Sequence, residues 1–231
     1  MHFLSHIGQD RWVCEVFNYK RSGYFLDFGG FEGLLHDNTF YLERFLNWRG
    51  ILVEPNPIPY SSACAVRSCI TVNAALWHES RKSLTFTDSH GLSSLADFID
   101  NDSNAELRKK IQKKMISVDT INPTELLDRF SAPEFIEYMS LDVEGAEIEV
   151  LGAIDLDRYK IVLLSIEHNH AKEKQETIRK HLKRYDYQVV SHYNDDFFFN
   201  MNYLKFITDN KFTHPLDAQK TVQKNHKFLE Y

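Results

Sequence analysis

Apolar positions follow two alternating rhythms along this chain. In IGQDRWVCEVFNYK, residues Trp12, Val13, Val16 and Phe17 recur at spacings of one, three and four, which predicts a short amphipathic helix. After Gly23, YFLDF is a short aromatic run with the character of a buried strand. Asn38 and Thr39 then stand ahead of TFYLERFLNW, whose Tyr41, Leu42, Phe45 and Leu46 share a helical face. GILVEP reads as a second strand stopped by Pro55, and NPIPYSSACAVRS as a short helix. CITVNAALW reads as a third strand, with KSLTFT and ISVDTI as shorter ones. Pro123 suits the first turn of a helix continued by TELLDRF. FIEYMSLDVEG gives a strand ending near Asp142, AEIEVLGAI a helix, and YKIVLLSIEHN a strongly apolar strand. KEKQETIRKHLKRYDY is a mostly solvated helix. YQVVSHY and FFFNMNYLKF read as a closing hairpin around Asn194, Asp195 and Asp196.

Strands and helices therefore alternate over most of the chain. This predicts an α/β fold: a mostly parallel sheet with helices on both faces, and an antiparallel edge from the late adjacent strands. Its 231 residues suit one domain. The expected limits are residues 1–208, with a highly charged insert at about 97–114 and a peripheral segment at 209–231. Hydrophobic residues make up 43% of the chain, with 17 Phe and 11 Tyr, enough for a full core. The formal charge of -6 argues against a bulk polyanion as partner. Lys109, Lys110, Lys113 and Lys114 nevertheless leave an RNA contact open, although a solvated helix face is the favoured and sufficient explanation of their charge. Cys14, Cys64 and Cys69 form no CxxC pair and read as reduced thiols. No apolar stretch reaches the ~20 residues that span a bilayer. MHFLSHIGQD lacks a basic region followed by an apolar one, so no secretory signal is expected, and the cytoplasm is the expected setting.

GYFLDFGGFEG changes this picture. An acidic residue, Asp27, lies near the carboxyl end of an apolar strand, and Gly29, Gly30 and Gly33 follow at once. Glycine admits positive φ and lets backbone approach a ligand closely. Glu54 ends the next strand, where a carboxylate can accept both hydroxyl hydrogens of a ribose. Ligands in such sheets bind beyond the carboxyl ends of the strands. The dinucleotide pattern GxGxxG and a phosphate-binding lysine motif are both absent. Asp27 and Glu32 disfavour a doubly anionic ligand. A cationic, amino-acid-bearing nucleoside fits better, and S-adenosylmethionine is such a ligand.

SHIGQD, GYFLDFGGFEG, DNTFYLERFLNWRGILVEPNP, VNAALW, SSL, YMSLDVEGAEIEVLGAID and IEHN together resemble the FkbM family of S-adenosylmethionine-dependent methyltransferases. The resemblance spans roughly Ser5 to Asn169. It implies a Rossmann-like class I methyltransferase sheet of seven strands, the seventh inserted antiparallel at the edge. It places Asp27, Gly29, Gly30 and Gly33 around the methionine part of the cofactor and Glu54 at the ribose, with Pro55 and Asn56 shaping the next loop. Gly30, Glu32 and Asp37 depart from the residues common in the family.

SLDVEGAE is the second acidic stretch. Asp142 is a candidate for holding the cofactor ammonium, orienting an acceptor or ligating a metal. Glu144 is a further candidate, and Glu147 reads as a helix cap. Glu167, His168 and Asn169 end the neighbouring strand, and His168 is the candidate base for a hydroxyl acceptor. A Mg²⁺ or Ca²⁺ site among these oxygens is conceivable. The leading expectation is O-methylation of a carbohydrate or small hydroxylated acceptor. The alternatives are an RNA ribose or cap methyltransferase, and a non-catalytic protein that binds S-adenosylmethionine. Oligomeric state is not legible in the sequence.

Overall fold

A computed structural model describes residues 3–88, 93–95 and 114–226. The first half runs α1 (Gln9–Val16), β1 (Tyr24–Phe28), α2 (Phe40–Leu46), β2 (Arg49–Val53), α3 (Pro57–Val66), β3 (Ile70–Val72), β4 (Ala75–Leu76), β5 (Ser83–Asp88) and β6 (Ser94–Leu95). The second half runs β7 (Lys114–Ile121), α4 (Pro123–Arg129), β8 (Phe135–Leu141), α5 (Glu147–Gly152), β9 (Lys160–Glu167) and α6 (Lys172–Lys183). It closes with β10 (Gln188–His192), β11 (Asp195–Phe199), α7 (Met201–Thr208) and α8 (Pro215–His226).

A seven-stranded sheet has the order β10-β11-β9-β8-β1-β2-β3. The strands from β9 to β3 pair in parallel. The antiparallel strand is β11, set between β9 and the outermost β10. This is a mostly parallel α/β fold of the Rossmann-like class I type. The apolar runs of β1, β8 and β9 are buried because both faces of the sheet are covered. On one face, Trp12 and Val16 of α1, Tyr41 and Leu42 of α2, Leu204 of α7 and Val222 of α8 share a core with Phe25, Tyr138 and Phe197. On the other, Leu126 of α4, Val150 of α5 and Ile178 of α6 share one with Leu26, Phe28, Met139 and Leu164.

Three features depart from the sequence reading. CITVNAALW is not one strand. The Asn73 amide donates to the carbonyls of Glu54 (2.8 Å) and Pro55 (2.9 Å), and the chain divides there into β3 and β4, which belong to different sheets. The second sheet, β4-β7-β5-β6, adds Leu76, Phe86, Leu95 and Val118 to the core. FFFNMNYLKF is strand only as far as Phe199. The Asn200 side-chain oxygen Oδ1 accepts from Asn202 N and Tyr203 N, which caps α7 and makes MNYLKF helical. The antiparallel strand is also one place in from the edge.

The segment after Asp209 covers α1: Trp12 Nε1 donates to the Pro215 carbonyl at 3.1 Å, and Ala218 and Val222 are buried. Trp12 and Trp48 are buried and Trp77 is half-buried, as packing residues should be. The charged insert, including Lys109, Lys110 and Lys113, lies outside the described residues; Lys114 opens β7. Among the described residues, no helix is long and apolar enough to cross a membrane.

Candidate active site

Beyond the carboxyl ends of β1, β2, β8 and β9 lies a cavity of about 1140 Å³. Asp27, Gly29, Gly30, Glu54, Pro55, Asp142, Glu144 and Glu167 all line it. Gly33, Asn56 and His168 do not. Two strand tips meet because Gly29 has no side chain. Its φ is +94°, and an added Cβ would lie 1.7 Å from the Asp142 carbonyl oxygen. Asp142 N donates to the Phe28 carbonyl at 2.9 Å, locking the β1 and β8 tips together.

Glu54 ends β2 and is 6% exposed. Its carboxylate accepts from Phe31 N at 3.1 Å and Asn56 N at 2.8 Å, which fixes the loops after β1 and β2 around it. Burial pushes its carboxyl up to about 7. The sign follows from linkage: between about 4.5 and 7 the folded state holds a proton that the unfolded state has released. Glu54 therefore lowers the stability of the ligand-free protein as pH rises through that window, by up to about 3 kcal/mol. Glu54→Gln lacks this loss. Thermal melts from pH 5 to 8 should show the variant gaining on the wild type as pH rises; parallel curves would contradict the assignment.

Asp27 is buried at the tip of β1. It accepts from Thr39 Oγ1 at 2.6 Å, and burial, with Asp37 next, raises its carboxyl well above the usual range. Asp142, Glu144 and Glu167 present carboxylate oxygens within 4.8 Å of one another, a spacing that suits a hard divalent cation. Glu167 accepts from Asn169 Nδ2 (2.5 Å) and Asn194 Nδ2 (2.7 Å). Burial, followed by the charges of Asp142 and Glu144, raises it well above an ordinary glutamate. Glu147 caps its own turn by accepting from Val143 N and Gly145 N, and it pairs with Lys174 at 2.5 Å; it is buried rather than solvated.

The expectation of His168 as the base does not fit its placement. Its Nδ1 accepts from His170 N at 3.2 Å, and its Nε2 lies 3.0 Å from the Gln175 amide and 3.8 Å from Asp196. The ring faces α6, whereas His170 lines the cavity. Burial lowers the His168 pKa. Gly33 and Asn56 also serve from behind the wall. Gly33 packs beside Arg67, and Asn56 caps α3 by accepting from Ile58 N at 3.1 Å.

Other wall residues escaped the sequence reading. Asp195, buried at the start of β11, reaches the cavity because its strand runs backwards; burial, then Asp142, pushes its carboxyl up to about 7. Gln9 donates to Asp195 Oδ2 at 3.0 Å and accepts from Ile7 N at 3.1 Å. Asp10 accepts from Leu4 N, Ser5 N and Ser5 Oγ, holding Leu4–Ile7 as a further wall. The SHIGQD block was the available signal for this strap. Ala74, Ala75, Leu76, Phe86 and Leu95 form an apolar wall. Among the described residues, Glu32 and Asp37 add to the acidic lining, and no Lys or Arg lines the cavity. Phe31, His36, Glu144, Asn169, His170 and Tyr193, all on the cavity wall, carry φ between 47° and 61°.

Two solved structures align with most of the chain at low similarity. Human methyltransferase 10 domain containing protein is 10% identical over 83% of this chain and 79% of that one, with a TM-score of 0.43. The delta-N METTL16 MTase domain is 11% identical over 82% of this chain and 78% of that one, with a TM-score of 0.40. No curated relative matches the chain. Residues 16–189 match the methyltransferase FkbM domain, a span that contains the tips of β1, β2, β8 and β9. The chain belongs to the FkbM family and is an S-adenosylmethionine-dependent methyltransferase.

Proposed function

We propose that the enzyme methylates a hydroxyl oxygen of a carbohydrate or small hydroxylated acceptor, with the cofactor across the tips of β1 and β2. The carrying observation is the buried Glu54 carboxylate, facing the cavity one strand over from Asp27. The donor set fits S-adenosylmethionine, since carboxylates can accept from ribose hydroxyls and an ammonium. Gly29 and Gly30 line the cavity, and a Cβ on either would meet Asp142 or Leu52, so their bareness lets the strand tips close beneath the ligand. Glu54 would hold the ribose, Asp27 and Asp142 the amino-acid end, and Pro55 with the apolar wall of Ala74, Leu76, Phe86 and Leu95 the base. When bound, the cofactor supplies an activated methyl on a sulfonium.

Glu144 and Glu167, beside Asp142, orient the acceptor hydroxyl and receive its proton. His168 acts indirectly, by bracing the loop that carries His170. Much of the rate gain comes from alignment in a prepared polar site. A divalent cation would sit on the same three carboxylates and neutralise their mutual repulsion. The acidic lining favours neutral or cationic acceptors over phosphate-bearing ones. A cytoplasmic setting is supported by three cysteines that are all free.

Titration with S-adenosylmethionine and S-adenosylhomocysteine, with and without Mg²⁺, tests the cofactor site. A labelled methyl group then tests carbohydrate, small hydroxylated and RNA acceptors. Binding with label on oxygen of a carbohydrate or small acceptor is expected. Label only on nitrogen or only on RNA would overturn the acceptor, and binding without transfer to any class would favour a scaffold role.

A further inference from the structure

Asp27 and Asp37 line the cavity from one side, and both are held from behind by a residue that does not reach it. Arg67 is the C-cap of α3, with its side chain wholly buried. Its Nη1 donates to Asp37 Oδ2 at 2.7 Å and lies 3.6 Å from Asp27 Oδ2. Its Nη2 donates to Thr39 Oγ1 at 2.7 Å, and Thr39 Oγ1 in turn donates to Asp27 Oδ2 at 2.6 Å. Its Nε donates to Glu43 Oε2 of α2 at 2.5 Å. Asp37 Oδ1 caps α2 by accepting from Thr39 N and Phe40 N. One guanidinium thus joins the end of α3, the start of α2 and the tip of β1. The rings of Phe25 and Phe40 flank it at 5.4 and 5.9 Å. Gly33 makes room for it: a Cβ there would lie 2.9 Å from Arg67 Cγ.

We propose that Arg67 is a positioning residue for cofactor binding, setting the orientation of Asp27 and Asp37 without touching the ligand. This rests on the cofactor site proposed above. The physical ground is that carboxylates buried this close repel one another, and the fork of Arg67 both relieves the repulsion and fixes their geometry. Lysine offers the charge but not the fork.

The test compares wild type, Arg67→Lys, Arg67→Met and the double variant Arg67→Met/Asp37→Asn by thermal melts and calorimetric titration with S-adenosylmethionine and S-adenosylhomocysteine. Removing both partners of a buried ion pair is commonly near neutral for folding, whereas removing one is not. The double variant should therefore regain part of the unfolding midpoint lost in Arg67→Met, the part due to Asp37, while Asp27 and Glu43 remain without their partner. Its affinity for both ligands should stay at least ~10-fold below wild type, because Asp27 still lacks its partner. Arg67→Lys should fall between the two. Should Arg67→Met not fold, the other two variants decide the matter. Affinity within twofold of wild type in the double variant, or affinity that recovers in step with its midpoint, would overturn the positioning role. A wild type that binds neither ligand would instead sink the cofactor site.

Discussion

Glu54→Ala is expected to weaken S-adenosylhomocysteine binding by about 100-fold, the largest loss of affinity from any single side chain. A hydrogen bond to a charged acceptor contributes roughly 1.5–3 kcal/mol, and this carboxylate offers itself to two hydroxyls. The variant also strands Phe31 N and Asn56 N, both now satisfied by Glu54. Glu54→Gln keeps an acceptor oxygen and should lose less, on the order of 10-fold. Calorimetric titration at pH 8, above the raised carboxyl of Glu54, reads both. Folding should survive, since relief of the buried charge at that pH offsets part of the cost of the two stranded N–H groups. Affinity unchanged in the alanine variant would remove Glu54 from the site.

Gly29→Ala should have the largest effect on stability. The new methyl would meet the Asp142 carbonyl oxygen at 1.7 Å and its carbon at 2.7 Å, and alanine at φ +94° is strained in any case. Both obstacles are backbone, so a side-chain rotation cannot relieve them. A loss of about 4 kcal/mol is reasonable for enforced backbone displacement with strain. For a chain of this size that is roughly 10 °C in Tm. If the protein folds at all, Gly29→Ala should also bind S-adenosylhomocysteine poorly, because the β1 and β8 tips would be forced apart. Gly152→Ala is the control, since a Cβ there has open space. Equal melts for the two variants would show that the tips do not depend on close approach.

The polar ends of apolar runs were readable from the sequence. Asp27, Glu54, Asp142 and Glu167 each stand within one residue of the last apolar position of a strand, and the parallel sheet brings those ends to one edge. What lay one residue further was not readable. Glu167 faces the cavity while His168 turns to α6, a difference set by the side chain's direction at the strand end rather than by residue type. Gly33 looked like part of the ligand loop, but its neighbour is Arg67 on a different element. Asp195 was hidden because only an antiparallel strand can deliver its first residue to that edge. β4 and β6 span two residues each, too short for any periodicity to register, so only β5 and β7 of the second sheet were readable. The strap at Leu4–Ile7 depends on Asp10 and Gln9, whose buried contacts no local pattern announces.

The claim on which the rest depends is that Glu54 grips the two hydroxyls of an adenosine sugar. Titrating wild type and Glu54→Ala with S-adenosylhomocysteine and with its 2′-deoxy analogue isolates that contact. The wild type should bind the deoxy ligand ~10-fold or more weakly than the parent. Glu54→Ala should bind the two nearly alike, since the partner of the missing hydroxyl is already gone. The same discrimination in both proteins would contradict the account.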